Sequence, residues 1–81
     1  MITNAKKALI KELEIKLTDK EKLEPKLELL AGEVVERKNL IKLINSTSEE
    51  QKLFRLKKRY KEISENILKN IENIKFMLGS N

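Results

Sequence analysis

The longest hydrophobic pattern in the chain covers residues 48–78. Apolar residues recur there at steps of three or four, at Leu53, Leu56, Tyr60, Ile63, Ile67, Ile71, Ile74 and Leu78. This spacing places them on one face of an α-helix, which has about 3.6 residues per turn. Ser46, Thr47 and Ser48 are residue types favoured at an N-cap, and Ser48 with Gln51 has capping-box spacing. We therefore predict a helix over 48–78, about 45 Å long, whose apolar stripe needs a partner.

A shorter helical pattern is present over residues 5–17. Its apolar positions fall on one side, at Ile2, Ala5, Leu9, Leu13 and Leu17, while charged residues point elsewhere. We predict a first helix over 5–17 that covers its neighbours with one face and leaves the other in water.

Residues 18–25 carry conflicting signals. Thr18 and Glu21 have the spacing of a capping box, which favours a new helix start. Pro25 lies seven residues after Thr18, too deep in a helix capped there for its missing N–H group to be harmless. Two alternatives follow, a short helical turn before a helix that starts at Pro25, or one helix that kinks there. We predict a break or kink within 18–25.

The pattern over residues 25–44 is helical with two apolar sides. One stripe consists of Leu23, Leu27, Leu30, Val34, Ile41 and Ile44, and a second group of Leu29, Leu40 and Leu43. A helix with two apolar sides lies between neighbours. We predict that this second helix is the middle layer and touches both the first and the third helix.

The polar Asn45–Ser48 connection is short, so the second and third helices are predicted to be antiparallel neighbours. The expected fold is all-α, a single domain over 1–81 built as an antiparallel helical hairpin or small three-helix bundle with a long C-terminal helix. A chain of 81 residues without cysteine buries too little surface to be robust alone. We therefore expect a homodimer.

Charge is concentrated in one segment of the third helix. Six basic residues occur within ten positions without an acidic one, at Lys52, Arg55, Lys57, Lys58, Arg59 and Lys61. The simplest interpretation is a solvated helix face. The alternatives are an acidic protein partner or nucleic acid, since Phe54 and Tyr60 are interleaved and aromatic rings stack on bases. The six bases spread around most of the helix, which weakens the nucleic-acid alternative.

Three apolar residues of the third helix lie away from its main stripe, at Phe54, Leu68 and Phe76. They fall within about 80° of one another on a helix that turns about 100° per residue. Isolated exposed apolar residues are normal in soluble proteins. Three on one side of a long helix would also suit a second interface.

The chain contains few residues of the types that usually carry out catalysis. The chain has no histidine and no cysteine, and Asp19 is its only aspartate. Acid–base catalysis would fall to Glu, Lys or Tyr60, and no pattern places two of them in one cleft. Glu33 and Glu36 lack the E-x-x-H partner of di-metal bundles. We expect no enzyme activity, cofactor, metal site or small-molecule substrate.

The cellular location of the protein is predicted from the lengths of its hydrophobic runs. The longest purely apolar runs are far too short for a bilayer span, and no secretory signal is present. A basic amphipathic helix can also lie on a membrane, but the stripe can be covered by a neighbouring helix, so we expect no membrane contact. We expect a cytoplasmic protein.

Two functional hypotheses follow. The first is a non-enzymatic interaction module, a small helical regulator or inhibitor that binds a macromolecular partner; a phage or mobile-element origin fits its size and its Lys-, Ile- and Asn-rich composition. The second is a small nucleic-acid-binding protein that uses the Lys52–Lys61 cluster. Salt dependence separates them, because nucleic-acid binding weakens steeply as salt rises and apolar association does not.

Overall fold

The computed structural model describes residues 2–79 of the chain. Within that range the protein has three helices and no strand: α1 (Ile2–Glu12), α2 (Leu17–Ser46) and α3 (Glu50–Gly79). Helix α2 packs against both α1 and α3, so the all-α class and the middle position of the second helix are confirmed. The molecule measures 48 × 22 × 17 Å, close to the length of its two long helices.

The turn between α2 and α3 is short and closes an antiparallel hairpin. The hydroxyls of Ser46 and Thr47 both donate to the carbonyl oxygen of Leu43, at 3.2 and 2.6 Å. These side chains therefore satisfy the end of α2, although the sequence suggested them as caps for α3. Helix α3 begins at Glu50, two residues later than predicted.

The break between the first two helices lies earlier than the sequence predicted. Helix α1 ends at Glu12, and α2 is continuous from Leu17 through the whole 18–25 segment. The bounds predicted for the first helix, 5–17, are therefore wrong, and so is a break within 18–25; of the two alternatives for Pro25, the structure shows one helix that continues through it. The capping-box spacing of Thr18 and Glu21 lies inside the start of α2 and does not mark an interruption.

The end of α1 is a Schellman motif built on a glutamate. Glu14 adopts a left-handed conformation with φ of 54°. Its N–H donates to the carbonyl of Lys11 at 3.2 Å, and the N–H of Ile15 donates to the carbonyl of Ile10 at 3.0 Å. This pair of bonds defines the motif. Glycine usually occupies the left-handed position, so a glutamate there gives no sequence signal.

Pro25 lies inside α2. Its ring removes one backbone hydrogen bond, which leaves the carbonyl of Glu21 without that donor. Both residues are exposed, so water can reach the freed carbonyl. Helix α2 tolerates the proline because buried residues follow it immediately, at Leu27 and Leu30.

Within residues 2–79 the core is a single cluster of ten buried hydrophobic residues. Its members are Leu9, Ile15, Leu23, Leu27, Leu30, Ala31, Leu40, Ile63, Ile67 and Ile74. The second apolar group predicted on α2 is only partly internal. Leu40 is buried, whereas Leu29 and Leu43 are 61% and 50% exposed. The sequence therefore overestimated how much of α2 its neighbours cover.

Candidate interaction surfaces

The main stripe of α3 is largely used for folding. Ile63, Ile67 and Ile74 are buried in the core. Four further members are partly buried against the core, at Leu56, Tyr60, Ile71 and Leu78, and Leu53 is also partly buried. Helix α2 is as long as α3 and covers this stripe along the hairpin, so the stripe supplies little surface for a partner.

Helix α1 covers only one end of the hairpin. Its eleven residues span about 16 Å, against about 45 Å for each long helix. Asn4 and Ala8 line a depression with Val34 and Lys38, which places the start of α1 level with Lys38. The other end of α1 lies near Ile71, where Leu9, Leu13, Ile71 and Lys75 line a second depression.

The hairpin therefore has two ends of different construction. We call residues 38–61 the hairpin end, where only α2 and α3 are present. We call residues 2–37 and 62–79 the three-helix end. Among the described residues, Leu40 is the one core member that belongs to the hairpin end.

Polar contacts between helices are found mainly at the three-helix end. Lys6 of α1 forms an ion pair with Glu24 of α2, and its ammonium lies 3.8 Å from a carboxylate oxygen of Glu28. The amide of Asn70 donates to the carboxylate of Glu33. These contacts fix α1 and α3 on α2 in addition to the apolar core.

Arg59 lies at the boundary between the two ends. Its guanidinium donates to Glu36 at 3.1 Å, and a second nitrogen lies 3.8 Å from Glu62. Both carboxylates belong to the three-helix end. Arg59 is therefore engaged within the fold and differs from the rest of the basic cluster.

The remaining five bases of the predicted cluster have no internal partner. Within residues 2–79, Lys52, Arg55, Lys57, Lys58 and Lys61 form no ion pair, and all five are exposed. At about 100° per residue they point around most of the helix. The cluster is a sheath of positive charge and does not form one flat basic face.

The charge difference between the two ends is large. The hairpin end contains eight basic and two acidic residues, a net charge of +6. The three-helix end contains ten basic and eleven acidic residues, a net charge of −1. The net charge of +5 for the chain therefore arises entirely at the end with the smaller core.

A shallow depression crosses from α2 to α3 at the hairpin end. We call it the Leu43–Leu56 depression; it is lined by Leu43, Thr47, Lys52, Arg55 and Leu56. Leu43 is half exposed, and the lining combines two leucines with two bases. Sequence periodicity assigned Leu43 and Leu56 to different helices and different stripes, so it gave no sign that the turn brings them to one site.

A separate apolar sector lies on the outer side of α3. Phe54, Leu68 and Phe76 are 72%, 62% and 76% exposed. Helical geometry places this sector more than 90° away from Leu56, whereas Arg55 lies at the edge of the sector and lines a surface depression with Phe54. Helix α3 therefore presents a core stripe, an outer apolar sector and one wall of the Leu43–Leu56 depression.

Two features are absent from the part of the chain that the structure describes. Over residues 2–79, no three acidic side chains are grouped so as to hold a metal ion. None of the three described helices combines the length and apolar character needed to cross a bilayer. Comparison of the chain with family models, curated proteins and solved structures gives no match.

Proposed function

We propose that this protein is a non-enzymatic interaction module, a small helical regulator or inhibitor that binds a macromolecular partner through its hairpin end. One observation carries the proposal: the end of the molecule that contributes least to the core holds both the excess positive charge and the Leu43–Leu56 depression. Surfaces that combine apolar residues with a charged rim are typical of protein–protein interfaces.

A site-specific crosslinking experiment tests this function. A photo-crosslinking residue replaces Leu43 in one variant and Leu29 in a matched control, since both are exposed leucines of α2. We expect the Leu43 variant to capture one protein in cells of the source organism and the Leu29 variant to capture none. Equal capture by both variants, or capture by neither, contradicts the proposal.

Nucleic-acid binding is the second candidate. The five unpaired bases favour it, because phosphate neutralisation supplies most non-specific affinity for nucleic acid. Two features favour a protein partner instead. The bases surround the helix without forming one face, and the depression that Lys52 and Arg55 line also contains two leucine side chains.

Self-association of the chain is a separate part of the proposal. The stripe of α3 is covered by α2 within one chain, so the support now comes from the outer sector of Phe54, Leu68 and Phe76. We propose that this sector joins two copies. Equilibrium sedimentation should show a dimer that Leu68→Lys converts to a folded monomer, while the control Leu29→Lys has no effect. A monomeric parent chain would contradict the proposed self-association and leave the proposed partner binding at the hairpin end unaffected.

A further inference from the structure

The Leu43–Leu56 depression is formed by two helices close to their connecting turn. Leu43 and Thr47 come from the end of α2, and Lys52, Arg55 and Leu56 come from the first turns of α3. The hydroxyl of Thr47 already donates to the Leu43 carbonyl. The depression therefore offers a ligand both apolar contact, from two leucines, and two cationic groups.

The charges around the depression have no counterpart in the described chain. Neither Lys52 nor Arg55 forms an ion pair within residues 2–79, although Glu49 and Glu50 are close in sequence. The net charge of +6 over the hairpin end attracts a ligand of negative charge. At the depression itself it opposes the hairpin end of a second copy, which carries the same charge, and the self-association proposed above uses a different sector of α3.

At the other end of the same hairpin, α1 is an example of a helix bound to α2. Helix α1 packs there through the buried Leu9, with Ala5 and Ile10 partly buried beside the core. Its Lys6 pairs with carboxylates of α2. At the hairpin end the hairpin supplies the bases. A complementary helix must then supply the acids, with an apolar stripe for the two leucines.

Resting on the proposed interaction function, we infer that the hairpin end binds an acidic amphipathic helix of a partner protein. Apolar side chains of that helix contact Leu43 and Leu56, and its carboxylates pair with Lys52 and Arg55. A nucleic acid could pair its phosphates with Lys52 and Arg55, but it would offer no aliphatic side chains to Leu43 and Leu56. A helix lying in an apolar groove, anchored at positions i, i+3, i+4 and i+7, satisfies both requirements.

Designed helical peptides test this inference on the full chain. Three alanine-based peptides are compared: one with a leucine stripe flanked by glutamates, one with the same stripe flanked by lysines, and one acidic peptide with its leucines scattered. Fluorescence anisotropy should detect binding of the first peptide only. Amide chemical-shift changes on titration should cluster at residues 43–56.

Paired variants locate the binding site. Leu43→Ser with Arg55→Gln should weaken binding of the acidic amphipathic peptide by about tenfold or more, because an apolar anchor and a charge are both lost. The matched control is Leu29→Ser with Lys69→Gln, which removes one exposed leucine and one exposed base away from the depression. The control should bind like the parent chain, and circular dichroism should show both variants folded.

The contradicting outcomes are distinct. Equal binding of the lysine-flanked peptide, shift changes outside the hairpin end, or equal weakening in the control overturns the inference. So does binding of mixed-sequence DNA or RNA that is lost in the Leu43–Arg55 variant while no peptide binds. If no peptide binds but Leu43 still crosslinks to a protein in cells, the acidic-helix inference fails and the proposed function stands. If no peptide binds and Leu43 crosslinks to no protein, both the acidic-helix inference and the proposed function are contradicted.

Discussion

The two ends of the hairpin are made from the same two helices and have different physical roles. At the three-helix end, Leu23, Leu27, Ile63 and Ile74 are each no more than 2% exposed, and positive and negative charges nearly balance. At the hairpin end, Leu40 is buried while Ile41, Leu43 and Phe54 are exposed. Folding energy is therefore concentrated at one end, which leaves the other end free to retain apolar and charged surface.

The difference originates in the length and position of α1. A hairpin of two helices has one buried seam, and a third helix is needed to close a core around it. Helix α1 packs on the three-helix end only, and among the described residues nine of the ten core members belong to that end. The connection at residues 13–16 thus determines which part of the hairpin stays open.

The largest expected effect comes from comparing a polar substitution at an apolar position of each end. Ile67→Asp puts a carboxylate without a partner into a site that is 2% exposed, at a cost of several kcal/mol, about 3 or more. Far-UV circular dichroism should show the fold largely lost at room temperature. Leu43→Ser should cost less than about 1 kcal/mol, because exposed sites tolerate polar substitution.

Similar melting temperatures for these two variants would contradict the comparison. A stable Ile67→Asp protein would mean that the stripe of α3 is not the core. A strongly destabilised Leu43→Ser protein would mean that the hairpin end is a folding element.

Removal of the internal proline is expected to have the next largest effect. Pro25 costs a helix interior about 3 kcal/mol through a lost hydrogen bond and a steric clash. Burial of one leucine contributes about 1.5–3 kcal/mol, so the leucines at 23, 27 and 30 offset that cost. Pro25→Ala should stabilise the protein by about 1–3 kcal/mol in urea unfolding, with peptide binding at the hairpin end unchanged. Destabilisation by this substitution would show that α2 needs its proline geometry for packing.

The smallest expected effect on folding concerns the basic sheath. Lys57 and Lys58 are exposed and unpaired within the described residues, and exposed charges contribute less than about 1 kcal/mol each. Changing both to Gln should leave the unfolding midpoint nearly unchanged. It should also slow association with an acidic partner at low salt while altering dissociation little.

The same double variant separates protein binding from nucleic-acid binding. If the sheath contacts phosphates, the salt slope for mixed-sequence DNA or RNA should fall by about two. Tight binding of nucleic acid by the parent chain at about 100 mM salt, lost in the variant, would place the nucleic-acid candidate first.

Periodicity was sufficient to predict the three helices and the hairpin. The stripe from Leu53 to Leu78 is long and regular, and the connection after Ile44 is short and polar. The break after α1 was misplaced because its left-handed residue is Glu14 and not glycine. The capping-box spacing at Thr18 and the proline at 25 supplied stronger signals at the wrong positions.

The Leu43–Leu56 depression was less accessible to sequence reasoning. Leu43 and Leu56 become neighbours only through the turn between their helices, and a helical wheel treats each helix separately. Their exposure depends on how far α1 reaches along α2, which the misplaced break obscured. The basic cluster is visible as a run of charge in the sequence, but the engagement of Arg59 with Glu36 required the packed structure.

Amide hydrogen exchange of the free chain, followed by NMR, tests the central claim that folding energy is concentrated at one end. Amides near Leu27 and Ile63 should exchange only through global unfolding, whereas hydrogen-bonded amides near Leu43 and Leu56 should exchange through local opening, about tenfold faster or more. The denaturant dependence of exchange should be strong for the first group and weak for the second. Equal protection and equal denaturant dependence at both ends would contradict the account.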